Sequence, residues 1–82
     1  MARSSNVTLS TWAVYFNTSD YPQQYCARRF AGESPTQDFI ANVDIIPVRN
    51  WIKNEAAKFK QGWAVCIGRS EGDDPVIVEV WV

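Results

Sequence analysis

Apolar and polar positions alternate along most of this chain, the period of β-strands, and only one segment changes to helical spacing. Thr11 to Phe16 (TWAVYF) puts Trp12, Val14 and Phe16 on one face and Ala13 and Tyr15 on the other. NTSDYPQQ follows as a loop, because Asn, Ser and Asp favour local turns and Pro22 cannot donate to a ladder. Tyr25 to Phe30 (YCARRF) predicts a second strand, paired with the first as an antiparallel hairpin. AGESPTQ reads as a turn, and Asp38 to Val43 as a third strand interrupted by Asn42.

The period then changes. Ile45, Val48, Ile52, Ala56 and Phe59 form an apolar stripe at spacings of three and four, with Trp51 on its flank. Asp44 is placed to cap the first turn, and Pro47 fits within it. Lys58 and Lys60 suit the negative end of the dipole, and Gly62 suits the C′ position. A helix over roughly residues 45–61 is expected. Trp63 to Gly68 (WAVCIG) predicts a fourth strand, SEGDDP a turn, and Val76 to Val82 a fifth strand.

The order β-β-β-α-β-β implies an α+β fold, a mainly antiparallel sheet of five strands with one helix packed on one face. Residues 1–9 read as a disordered tail and 10–82 as a single domain. Covering one face of the sheet leaves the other open, so the phase of each strand decides which side chains are available. If the Val76, Val78, Val80 and Val82 side meets the helix, Trp12, Val14 and Phe16 join it, and Cys26, Arg28 and Phe30 follow. The open face then collects Tyr15, Tyr25, Arg29, Glu79 and Trp81, with Ala13, Ala27 and Ile77 between them. Tyr, Trp and Arg together match the energetic centres of protein interfaces, so these five are the candidate binding residues. A structural alternative pairs Arg29 with Glu79 across strands. Reversing the phase of strand 25–30 would hand the exposed role to Arg28.

Composition narrows the chemistry. The chain has 82 residues, enough for one modest core, and four tryptophans help to fill it. It contains no histidine, which excludes Ser-His and Cys-His catalytic pairs and leaves Cys26 and Cys66 without a partner for a zinc site. The two cysteines are expected to be buried free thiols; the alternative, a disulfide between adjacent strands, needs Cα atoms within about 6 Å, and an intracellular setting argues against it. No Gly-rich phosphate loop is present, and Glu71, Asp73 and Asp74 lack the ligand spacing of a calcium loop. No enzyme, metal or cofactor is expected. A net charge of −1 and a pI near 5.2 argue against nucleic acid or an anionic membrane as partner. Asn6-Val7-Thr8 and Asn17-Thr18-Ser19 match the glycosylation sequon, but MARSSNVTLS lacks an apolar stretch of signal-peptide length. A cytoplasmic protein is expected.

Tyr21-Pro22 with Tyr25, Ala27, Arg28, Arg29 and Phe30, then Pro35-Thr36, Asp44 and Arg49, then DDPVIVEVW at 73–81, resembles a group of short phage and bacterial proteins without assigned activity. The resemblance spans about residues 11–82 and departs at the helix segment NEAAKFKQG. It implies a phage or prophage setting and transfers no catalytic or binding residue. The expectation is a small non-enzymatic binding protein acting by protein–protein contact or self-association. In a phage setting, interference with a host or defence protein is a natural role. The alternative is a single-stranded nucleic-acid-binding module using the same face.

Overall fold

A computed structural model describes residues 9–59, 64–68 and 76–82. The elements are β1 (Ser10–Phe16), β2 (Tyr25–Ala31), β3 (Ser34–Asn42), α1 (Ile45–Phe59), β4 (Cys66–Gly68) and β5 (Ile77–Trp81). They form one antiparallel sheet in the order β3-β2-β1-β5-β4. This is the α+β arrangement expected, with one helix on one face. The sequon at residues 6–8, Lys60, Gly62 and Trp63, and the acidic SEGDDP segment lie outside the described residues.

The hairpins form where turn chemistry permits. Asn17 and Gln23 both take positive φ, and Asn17 Oδ1 accepts from the Gln23 amide at 2.8 Å, which holds the β1–β2 loop closed. Between β2 and β3 only Gly32 and Glu33 intervene. Gly32 has φ 63° and Glu33 does not, the signature of a type II′ turn. This tight turn lets β3 begin at Ser34, four residues before the expected start, so most of AGESPTQ is strand. Pro35 is tolerated because β3 is an edge strand.

Asp44 caps α1 as expected: its Oδ1 accepts from the Ile46 amide at 3.0 Å. Val48, Ile52 and Ala56 are fully buried against Trp12, Val14, Ala27 and Trp81, with Trp51, Tyr25, Ile40 and Val78 packed around them. This single layer between helix and sheet is the core. Burying a side chain the size of Ile52 contributes about 2–3 kcal/mol.

The helix identifies the covered face, and the registers transmit its phase. Trp12 and Val14 face α1; Trp12 opposes Arg29 and Val14 opposes Ala27. On the other side of β1, Trp12 opposes Trp81 and Val14 opposes Glu79. Directly opposed residues share a face. Hence Tyr25, Ala27 and Arg29, with Glu79 and Trp81, belong to the covered face, and Cys26, Arg28 and Phe30 to the open one. This corrects the expected phase of both β2 and β5.

Two physical causes explain the reversal. Ala27 is the small residue that lets the helix approach β2, a role the bulkier Cys26 and Phe30 do not take. On β5, a register shift at Val14/Tyr15 adds one residue, which lets Val78 reach the core beside Glu79. Strict alternation therefore does not hold along the valines.

Candidate functional site

Four of the five expected binding residues are parts of the helix–sheet layer. Glu79 is 6% exposed and accepts from Arg49 at 3.1 and 3.0 Å and from Trp81 Nε1 at 3.0 Å. Burial alone would raise its carboxyl; hydrogen bonds from Arg49 and Trp81, and the Arg49 charge, outweigh burial and hold it below its ordinary range. The same bonds stabilise the Arg49 guanidinium as a cation. This bidentate pair ties α1 to β5. Trp81 is buried with its N–H satisfied.

Arg29 is equally committed. Its Nε lies 2.7 Å from Asp38, Nη1 donates to Ser10 Oγ at 3.2 Å, and its guanidinium stacks 3.9 Å from the Phe59 ring centroid. Phe59, the end of the apolar stripe, thus caps an arginine. A pair between Arg29 and Glu79 does not form, because β1 separates β2 from β5. Tyr25 packs on the core and against Phe16, ring centroids 4.7 Å apart. Tyr15 alone of the five occupies the open face.

The open face carries a different set. The β1–β2 loop folds back over it, burying Cys26 and bringing Tyr21 across to Phe39 of β3, ring centroids 5.3 Å apart. Burial pushes the Cys26 thiol up, and nearby Asp20 adds to this against an opposing hydrogen bond with Thr18. Cys66, by contrast, is exposed, which corrects its expected burial; both thiols are free.

Between loop and sheet lies an open groove of about 780 Å³, its walls including Tyr15, Tyr21, Arg28, Phe30 and Phe39, with Asp20 and Gln37 as further polar lining. Arg28 runs from β2 across β3. Its guanidinium carbon sits 4.8 Å from the Phe39 ring centroid, and Nη1 donates to the Thr36 carbonyl. Arg28 is half-buried, yet no carboxylate among the described residues pairs with it, whereas Arg29, Arg49 and Lys58 each have one.

Sequence reasoning missed Tyr21, Phe30 and Phe39. Tyr21 lies in a loop, where alternation assigns no face, and Phe39 in a strand whose apolar pattern Asn42 interrupts. No metal-binding group of side chains occurs among the described residues, and no described helix is long and apolar enough to cross a membrane. Comparisons with protein-family models, with curated proteins and with solved structures find no match.

Proposed function

We propose that the chain is a small non-enzymatic binding protein that engages a protein partner through the open face of its sheet. The observation that supports this most is Arg28: a half-buried cation without a counter-ion among the described residues, stacked on Phe39 in a groove walled by tyrosine and phenylalanine. Rings and guanidinium together are the side chains that dominate binding energy at interfaces. The groove's volume falls within the range of binding clefts, about 300–1,000 Å³. The resemblance to phage-type sequences makes a host or defence protein a natural class of partner.

Substitution of Tyr21 by Ser tests the reading, because Tyr21 walls the groove but is exposed and outside the core. Expected is loss of partner capture with urea unfolding nearly unchanged. Unchanged capture would refute it. Labelled mixed-sequence single strands should show no rise in anisotropy at low salt; steeply salt-dependent binding would favour nucleic acid instead.

A further inference from the structure

From the edge of β3 and the reach of Arg28 we infer that the partner is an extended, acidic peptide segment, added as a further strand beside β3 with a carboxylate on Arg28. The inference rests on the open face being the binding surface, and it adds the partner's backbone geometry and charge.

The backbone carries the first half of the argument. Asn17 N–H bonds the Gln24 carbonyl, and Gly32 N–H bonds the Leu9 carbonyl. Antiparallel ladders alternate, so Cys26 and Arg28 turn their peptide groups toward β1, and Tyr25 and Ala27 theirs toward β3. Their partners on β3 are Asn42 and Ile40. Phe39 and Ala41 consequently direct N–H and C=O to the free side of the terminal strand.

Edge strands are ordinarily guarded by lysines, unpaired inward charges or proline. Pro35 guards only one end of β3. The strand's single charge, Asp38, is neutralised by Arg29. Among the described residues no strand pairs with the outer side of 39–42, which is thus a template for strand addition, in which main-chain bonds supply affinity and alternate side chains supply specificity.

Charge complementarity supplies the second half. Phe39 and Ala41 present their side chains to the open face, so the alternate side chains of an added strand lie alongside them there. Arg28 reaches that position from β2: its guanidinium lies over Phe39 and is anchored on the Thr36 carbonyl. A carboxylate of the added strand on its other N–H groups would make charge-assisted bonds, roughly twice as strong as neutral ones.

Two capped octapeptides of alternating threonine and valine, flanked by lysine and differing only in a central glutamate or glutamine, test this by NMR titration to millimolar concentration. The glutamate peptide should bind about tenfold more tightly, slow hydrogen exchange at Phe39 and Ala41, and lose its advantage in Arg28→Gln. Arg28→Lys should restore part of it. Equal affinity of both peptides, with Tyr21 and Phe39 resonances moving, would overturn the acidic strand but leave the open face as a binding surface. No movement of those resonances with either peptide would overturn both. Exchange protection at Phe39 and Ala41 that grows with protein concentration alone would assign the edge to a second copy of this chain and overturn the inference.

Discussion

Replacing Arg49 by Met should reveal how far the buried carboxylate of Glu79 depends on one guanidinium. The substitution keeps the aliphatic stem and removes the charge, leaving Glu79 with its bonds from Trp81 Nε1 and the Cys66 side chain. Exposed ion pairs are worth about 0.2–1 kcal/mol, and breaking a fully buried pair costs about 3–5 kcal/mol. This pair lies between those limits: the Glu79 side chain is 8% exposed and that of Arg49 40%. A loss of about 2 kcal/mol at pH 7 follows, or a fall in Tm of about 8–16 °C for a domain of this size. Glu79→Gln should cost less, about 1 kcal/mol, because the amide oxygen still accepts from Trp81. The double variant should be more stable than additivity predicts by about 1 kcal/mol.

The loss should also depend on pH with a definite sign. The folded carboxyl titrates below its unfolded value, so between the two values the unfolded chain binds more protons. Stability from this pair is therefore present above the ordinary carboxylate range and disappears as pH falls through the folded value. Urea unfolding of wild type and Arg49→Met should give curves that separate at pH 7 and converge in acid. A gap below about 0.5 kcal/mol at pH 7, or one equally large in acid, would refute the staple between α1 and β5.

Other consequences are simpler to check. Native protein treated with a chromogenic disulfide reagent should release one equivalent rapidly from exposed Cys66 and the second only on unfolding, since Cys26 is buried and its thiol is shifted upward; simultaneous release would contradict the closed β1–β2 loop. Asp44→Ala should lower stability by about 1 kcal/mol in urea unfolding, and Asp44→Asn by much less. Ile52→Ala should cost about 2–5 kcal/mol, because the residue is fully buried at the centre of the only helix–sheet layer among the described residues.

Much of the architecture was legible in the chain, because it rests on local signals. The helical stripe through Val48, Ile52 and Ala56, the Asp44 cap and the hairpin after Phe16 each follow from neighbouring residues. Strand phase did not follow, because it depends on pairs distant in sequence. Counting apolar residues sends the valines of β5 inward, yet the inward set contains Glu79, whose charge Arg49 neutralises from thirty positions away. Arg29 is likewise drawn to the covered face by Asp38, Ser10 and Phe59. A buried charge reads as an exposed one until its partner is known. Two register shifts, at Val14/Tyr15 and between Arg28 and Phe30, further break the alternation on which a phase argument rests.

Adjacent arginines with opposite tasks are the core of the account: Arg29 holds the layer together and Arg28 serves the open face. Wild type, Arg28→Gln and Arg29→Gln, each immobilised and shown by circular dichroism to be folded, can be compared in capture of the proposed partner from a bacterial extract. The account predicts that Arg28→Gln captures nothing while Arg29→Gln, though less stable, retains the partner held by wild type. Loss of capture by Arg29→Gln with retention by Arg28→Gln would contradict it.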